Sequence, residues 1–178
     1  MSHKKQKFVH ILISFVFCYY LIGLLTMTGI GRGINAFSPH FGLIPFVDTL
    51  SDPVETVLNI ILFTPLGFFL PLLYESLKQA KKIVLIGFLL SLSVEMIQMF
   101  GMGVTSVNDL IANTLGAYIG YRIYLILYKL TPNRFLEKFQ ANHVNEYGEV
   151  LFFVICSYFV MLTIQRPLFH YLFWNLRV

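Results

Sequence analysis

The sequence predicts an all-α fold, a polytopic membrane helix bundle of about five transmembrane helices with its N-terminus inside the cell. The first observation is composition: of the 178 residues, 57% are hydrophobic and only 12% are charged, whereas about 25% of an average soluble domain is charged. The second is that five apolar stretches each approach the roughly 20 residues that cross a bilayer. The third is that basic residues cluster at the N-terminus and then in every second connection between these stretches. The 13 basic and 9 acidic side chains cannot coat a soluble domain of this length.

The first apolar stretch, Phe8–Ile30, follows a basic start. A secretory signal has the same order, but its apolar core is shorter and a small-residue cleavage site follows it. Here the stretch is too long for such a core, and Gly31-Arg32-Gly33 follows it in place of an Ala-x-Ala site. We therefore expect this stretch to remain in the protein as a membrane anchor.

Four further stretches follow, and helix-boundary signals accompany them. Asp52-Pro53-Val54-Glu55 combines a capping residue, a proline at the first helical position and an acid at the end of the capping box. Ser106-Val107-Asn108-Asp109 repeats the capping box without the proline. Gly101-Met102-Gly103 just before it predicts a tight turn between an antiparallel pair of spans. Thr131-Pro132 marks the end of the fourth span. The predicted spans are Val54–Leu73, Ile83–Phe100, Val107–Tyr128 and the shorter Val150–Ile164, which runs into an aromatic tail, Pro167–Trp174.

The positions of the basic residues predict the orientation, because the cytoplasmic loops of membrane proteins carry the excess of lysine and arginine. On one side lie Lys4, Lys5, Lys7, Lys78, Lys81, Lys82, Lys129, Arg134 and Lys138, with Arg122 toward the same end of its helix. On the other side lie Arg32, Arg166 and Arg177. This alternation predicts a cytoplasmic N-terminus and an extracytoplasmic C-terminus. Since the basic residues do not follow one face of the chain, the net charge of +4 does not indicate nucleic-acid binding.

Polar side chains inside the spans are the main functional clue. An ionisable group in lipid costs roughly 2.5 to 3.5 kcal/mol, so it usually faces other helices or a wet cavity. Helical spacing puts three polar residues on one face of the third span and two on one face of the fourth, and another lies at a similar depth in the second. The predicted polar cluster, in the outer half of the bundle, consists of Asn59, Ser91, Glu95, Gln98, Asp109 and Asn113.

Several of these features also have a structural interpretation. In the structural interpretation, Asp109 serves as the acid of a capping box and has no further role. Glu95 could reach the interface from its span end, but its stacking with other polar residues favours an interior hydrogen-bonded role. The residues predicted to serve helix packing or a kink are Pro65, Gly67, Gly116 and Gly120. The aromatics interpreted as interfacial or packing residues include Tyr19, Tyr20, Tyr121 and Trp174.

Catalytic and metal-binding interpretations have little support in the residue pattern. Glu95 and Asp109 could act as general acid and base if burial raised the pKa of one of them, but no convincing nucleophile lies near them in the sequence. The five histidines show no metal-ligand spacing, and both cysteines lie inside apolar runs. His40 with Asp48 and Asp52 is a weak cation-binding pattern. We therefore expect no metal and no cofactor.

Four segments carry a more specific pattern. They are Leu43-Ile44-Pro45-Phe46; residues 59–68 with Leu70-Pro71; residues 91–98 with a Ser-x-x-x-Glu-x-x-Gln pattern; and Asn108-Asp109-Leu110 with Asn113-Thr114-Leu115-Gly116 and Gly120-Tyr121. In order and spacing these segments resemble the VanZ-like integral membrane proteins, a family associated with resistance to the glycopeptide teicoplanin. The resemblance covers roughly Ser38 to Tyr121, with the first span added by position.

One departure from the family pattern concerns the residues before Asp109. The family often has an arginine and a further aspartate there, whereas this chain has Val104-Thr105-Ser106. If that arginine pairs with the third-span acid in other members, Glu95 needs another donor here. The resemblance implies a VanZ-like membrane domain of four transmembrane helices over residues 1–130. Residues 131–178 would then form a cytoplasmic loop, the fifth transmembrane helix and the aromatic tail.

The resemblance implies reduced sensitivity to teicoplanin-type lipoglycopeptides at the outer membrane surface, without an established reaction. The implied partners are membrane lipid and either a lipoglycopeptide or a lipid-linked cell-wall precursor, and the oligomeric state stays open. An alternative is a membrane enzyme that modifies an envelope lipid or lipid-linked sugar with Glu95 or Asp109 as acid or base. In a third interpretation the polar cluster only holds the second, third and fourth spans together. The absence of an internal repeat disfavours a transporter built from duplicated halves.

Overall fold

The fold is a bundle of five helices in the computed structural model, which describes residues 3–28, 40–42, 53–98, 104–140, 145–165, 167–168 and 171. The helices are α1 (His3–Met27), α2 (Pro53–Leu73), α3 (Ala80–Gln98), α4 (Val107–Leu130) and α5 (Glu146–Val160), which continues as a π-helical turn, Met161–Gln165. Short connecting elements are the 3-10 segments Glu75–Leu77 and Glu137–Phe139 and one helical turn, Asn133–Leu136. The predicted all-α class and the predicted five helices are confirmed.

Two three-residue strands accompany the helices in the described part of the chain. β1 (His40–Gly42) pairs in parallel with β2 (Val104–Ser106), and His40 lies opposite Val104 in the register. β2 ends where α4 begins. The pair therefore attaches the connection between α1 and α2 to the N-terminus of α4.

Four of the helices are long and apolar enough to cross a membrane. These segments are Gln6–Met27, Pro53–Leu73, Val107–Leu130 and Glu146–Gln165. α3 is not among them, because it carries three charged residues, Lys81, Lys82 and Glu95, within its 19 residues. The predicted span ends Ile30 and Phe100 lie outside the described residues, as does most of the aromatic tail. The helices identify a multi-pass membrane protein.

α2 and α4 run parallel to each other in the closest contact of the bundle, and glycines permit this contact. A β-carbon on Gly67 would collide with the backbone carbonyl of Ala117. A β-carbon on Gly120 would likewise collide with the carbonyl of Thr64, and one on Gly116 with that of Ile60. Small residues allow the backbones of two membrane helices to come into van der Waals contact. In lipid the hydrophobic effect does not drive helices together, so these packing contacts stabilise the pair.

A tyrosine of α1 satisfies backbone groups beside the proline of α2. Pro65 has no N–H and its ring crowds the carbonyl one turn earlier, which loosens a helix at this point. The Tyr20 hydroxyl donates to the carbonyl of Leu62 at 2.7 Å and accepts from the N–H of Leu66 at 3.2 Å. In a regular helix these two groups pair with each other. Tyr20 therefore makes a specific polar contact where the sequence predicted only an interfacial or packing aromatic.

The apolar core is formed by buried residues from all five helices, and its aromatic part lies where α1 meets α2 and α5. The ring of Phe17 is fully buried, with its centroid 5.9 Å from that of Phe69 and 6.4 Å from that of Phe153. α5 is also joined to α1 by a hydrogen bond of 2.8 Å from Thr26 Oγ1 to Gln165 Oε1. The outward faces of the helices are rich in exposed large apolar side chains, which a bilayer would cover.

Four lysines lie at the end of the bundle that is opposite to the N-terminus of α4: Lys78, Lys81, Lys82 and Lys129. This end is here called the basic end. Here His10 Nδ1 lies 2.9 Å from the carbonyl of Phe139, and its Nε2 lies 3.2 Å from Glu149 Oε1. Because a carbonyl only accepts, Nδ1 donates its proton. Burial, with a smaller effect from Glu149, raises the pKa of the nearby Tyr74 phenol. These contacts fasten α1 to α5 and to the segment before it.

Candidate functional site

The predicted polar residues lie at one end of the bundle, here called the cluster end, which is formed by the start of α2, the end of α3 and the start of α4. Asn59 and Asp109 face each other across the contact between α2 and α4, and Asn59 Nδ2 donates to Asp109 Oδ1 at 2.8 Å. Both side chains are half-buried. The parallel alignment of α2 and α4 brings this pair together. The same alignment brings the glycines into contact deeper in the bundle.

Glu95 caps a neighbouring helix. Its side chain is 3% exposed, and Oε2 accepts a hydrogen bond of 3.1 Å from the backbone N–H of Ser106. Ser106 is the N-cap of α4, and its hydroxyl accepts from the N–H of Asn108 at 3.2 Å. The free N–H groups and the dipole of a helix N-terminus favour a negative charge at this position. A carboxylate of α3 is thus held by the first turn of α4.

A buried side-chain pair joins α3 to α4 deeper in the bundle. Asn113 Nδ2 donates to Ser91 Oγ at 2.9 Å, and both residues are almost completely buried. Within the described residues, Asn113 Oδ1 has no hydrogen-bond donor. A buried amide oxygen without a donor costs about 1 to 3 kcal/mol. The position is therefore one where a water molecule or a polar ligand group would be stabilised.

Gln98 contacts a different helix from the other predicted cluster residues. Its Nε2 donates to the backbone carbonyl of Thr28 at 2.7 Å, which joins the end of α3 to the end of α1. Its Oε1 is buried and has no donor among the described residues. The six predicted residues thus connect three pairs of helices: α2 with α4, α3 with α4, and α3 with α1.

The hydrogen bonds limit the chemistry that the site can perform. Both carboxylates accept hydrogen bonds, Glu95 from a backbone amide and Asp109 from a side-chain amide. These donors hold the carboxyl oxygens in place. Among the described residues, no three histidine, cysteine, aspartate or glutamate side chains are close enough to hold a metal ion. Asp48 and Asp52 of the weak cation pattern lie outside the described residues.

Sequence reasoning missed two contributions from α1 to this region. Tyr20 contacts the backbone of α2, and the carbonyl of Thr28 receives the amide of Gln98. A tyrosine inside an apolar stretch indicates a polar contact in general, but it does not indicate the partner. A backbone carbonyl leaves no signal in the sequence at all. Tyr19, by contrast, is 80% exposed.

Comparison with known proteins identifies the family. The family model described as VanZ/LLP1 matches residues 11–129, which include every residue of the predicted polar cluster. The chain is 32% identical over 95 residues to Protein VanZ of Enterococcus faecium, an alignment that covers 51% of this chain and 58% of that protein. No solved structure matches the chain. Because the matched segment spans α2, α3, α4 and most of α1, the chain belongs to the VanZ/LLP1 family.

Proposed function

We propose that this protein lowers the sensitivity of its cell to teicoplanin-type lipoglycopeptides at the outer membrane surface, and that it does so without catalysis. Membership of the VanZ/LLP1 family supports the proposal, since the resemblance of the polar segments implies this activity. The observation that carries the non-catalytic part is the set of hydrogen bonds at the cluster end. Glu95 and Asp109 act there as acceptors that connect helices, so neither is placed as an isolated proton donor.

The orientation predicted from the basic residues puts the cluster end outside the cell. There the cluster would hold the starts of α2 and α4 and the β1–β2 pair in one arrangement. The side-chain oxygens of Asn113 and Gln98, which have no donor within the described part of the chain, would accept hydrogen bonds from a ligand that is rich in N–H and O–H groups. A lipoglycopeptide and a lipid-linked cell-wall precursor are both such ligands, and each would reach the site through the surrounding membrane lipid.

The direct test measures inhibitory concentrations in a susceptible Gram-positive host. The host expresses the intact chain, the Glu95→Gln variant or an empty vector, and teicoplanin and vancomycin are tested separately. We expect the chain to raise the inhibitory concentration of teicoplanin several-fold and to leave that of vancomycin unchanged, because only teicoplanin has a lipid tail. An unchanged teicoplanin value, with the protein detected in the membrane, would refute the proposal.

The same variant separates the proposal from the enzymatic alternative. Two carboxylates at one end of the bundle favour that alternative. Glutamine keeps an oxygen that accepts from the Ser106 N–H but cannot exchange a proton. If the protein modifies an envelope lipid or lipid-linked sugar with Glu95 as acid or base, Glu95→Gln should abolish resistance while expression is unchanged. If the cluster recognises a ligand or organises the surface, most of the resistance should persist.

A further inference from the structure

A groove of about 260 Å³ lies toward the basic end, between the start of α3 and the second half of α4. Its lining includes Ala80, Tyr118, Arg122, Leu125, Ile126 and Lys129. The small side chain of Ala80 leaves room on the α3 side. The opposite wall is fixed because Tyr121, which also lines the groove, donates from its hydroxyl to the carbonyl of Lys78 at 3.0 Å. The groove does not include any residue of the predicted polar cluster.

Arg122 is the unusual residue of this groove. It is exposed on a helix that qualifies as a membrane span, and it lies about 12 Å along the axis from the helix end at Leu130. Among the described residues it forms no salt bridge with a carboxylate. A cation in that position requires an anion or water, because the exposed face of a spanning helix meets lipid.

The surroundings of Arg122 hold its guanidinium group in the groove. Nη1 donates to the Tyr118 hydroxyl at 3.1 Å, and the guanidinium carbon lies 5.9 Å from the centroid of the Tyr118 ring. The hydroxyl accepts this hydrogen bond and keeps its own proton, which it can donate to a further acceptor. The guanidinium and the phenol together therefore offer several donors to one anionic group.

A second cation lies on the same face of α4. Lys129 follows Arg122 by two helical turns, about 10 Å along the axis, and is exposed. Side chains leave a helix tilted toward its N-terminus, which for Lys129 is the direction of Arg122. Leu125 and Ile126 form an apolar surface between the two, and the neighbouring Ile123 is also exposed. The groove thus combines two positive charges with an apolar face.

We infer that this groove binds the phosphodiester headgroup of an anionic glycerophospholipid, in the leaflet at the basic end. The planar guanidinium of Arg122 matches two phosphate oxygens, Tyr118 donates a further hydrogen bond, and Lys129 adds a second positive charge. The acyl chains lie along the exposed apolar side chains of α4. Free phosphate would gain the charged contacts but not this apolar contact, which is why a lipid is the better occupant.

The test measures lipid retention by the purified intact chain in non-ionic detergent, using native mass spectrometry. The probes are a phosphatidylglycerol and a phosphatidylcholine with the same acyl chains, and inorganic phosphate as competitor. We expect preferential retention of phosphatidylglycerol. Arg122→Gln and Lys129→Gln should each lower the apparent affinity about fivefold, which corresponds to about 1 kcal/mol per basic residue. Lys81→Gln, the same charge change at an exposed lysine outside the groove lining, is the matched control.

Ala80→Phe supplies a test that changes no charge. The larger side chain should fill the groove and reduce retention of phosphatidylglycerol, even if an arginine variant fails to fold. Equal retention of the two lipids by the intact chain would overturn the inference, as would an equal loss for Lys81→Gln, which indicates diffuse surface attraction. Full displacement by millimolar inorganic phosphate would also overturn it, because the site would then take free phosphate. No antibiotic is used, so the outcome is independent of the proposed resistance function.

Discussion

Glu95 illustrates how a buried charge is stabilised in this protein at the scale of one residue. The family pattern left open which donor would meet this acid when no arginine precedes Asp109. The structure supplies a backbone donor, the N–H of Ser106, at the start of α4. The serine that stands in the departing segment is itself the N-cap of that helix. The segment that departs from the family pattern therefore contains Ser106, the residue whose N–H donates to the Glu95 carboxylate at the start of α4.

The first prediction concerns this contact. Glu95→Ala leaves the half-buried Ser106 N–H without that acceptor, so it should lower the free energy of unfolding by about 2 kcal/mol. Glu95→Gln retains an acceptor oxygen and should cost less. Thermal unfolding in detergent measures both variants, with Glu75→Gln as the control because the Glu75 side chain is 74% exposed. Equal stability of the alanine and glutamine variants would contradict the capping role.

The second prediction concerns the tyrosine beside Pro65. Tyr20→Phe removes the hydroxyl that bonds to the backbone at Leu62 and Leu66, and no water is present in lipid to replace it. We expect a loss of about 1 to 2 kcal/mol in the free energy of unfolding. Tyr19→Phe is a closely matched control, since the adjacent tyrosine is 80% exposed. The same thermal measurement should show no change for this control, and equal effects of the two variants would refute the specific contact.

At the scale of elements, the parallel pair of α2 and α4 forms the centre of the fold. Its glycine contacts place backbone against backbone, which aligns Asn59 with Asp109 nearer the helix starts. Packing and site geometry are therefore coupled: a change in the separation of the two helices moves the polar pair as well. α3 completes this unit through Asn113 and Ser91, whereas α5 is attached to α1.

The third prediction tests the close contact between α2 and α4. Gly67→Ala brings a methyl group into the carbonyl of Ala117, so it should destabilise the protein by about 3 kcal/mol, at the upper end for overpacking. Gly23→Ala is the matched control, because a β-carbon there meets no atom within 4 Å. That variant should be neutral or more stable by up to about 1 kcal/mol. Thermal unfolding in detergent compares the two, and a neutral Gly67→Ala would show that the helices can separate without cost.

At the scale of the whole molecule, the bundle has two chemically different ends. The cluster end contains carboxylates and amides whose hydrogen bonds join helices. The basic end contains the lysines and the groove around Arg122, together with the contacts of His10 that attach α5. Because lysine and arginine favour the cytoplasmic side, this asymmetry predicts that the cluster end faces outside.

The fourth prediction makes that orientation measurable. Cys18 and Cys156 are first replaced by serine, and then either Val54→Cys or Lys81→Cys is introduced at an exposed position. In intact cells a membrane-impermeant thiol reagent should label the chain with Val54→Cys. The chain with Lys81→Cys should be labelled only after the cells are permeabilised. The reverse pattern would show the opposite orientation and would move the polar cluster to the cytoplasmic face.

The sequence by itself determined the five helices, the starts of α2 and α4, and the family, whereas α5 begins at Glu146, four residues before the predicted start at Val150. Apolar runs of bilayer length leave the backbone no alternative to intrahelical hydrogen bonds, and residues such as Ser106 and Pro53 mark where the helices begin. It also determined that Glu95 shares a helical face with Ser91, and Asp109 with Asn113, because the helical repeat decides this within one helix.

Only the tertiary structure decided which groups meet between helices. Asn59 contacts Asp109, Glu95 contacts the backbone of Ser106, and Gln98 contacts the carbonyl of Thr28. Periodicity shows which residues share a face of a helix. It does not give the position of the helix along its axis or its rotation relative to a neighbour, because the packing of the glycines and aromatics sets both. Backbone donors and acceptors are also identical at every residue, so partners such as Ser106 N–H and Leu62 carbonyl emerge only when the helices are packed together.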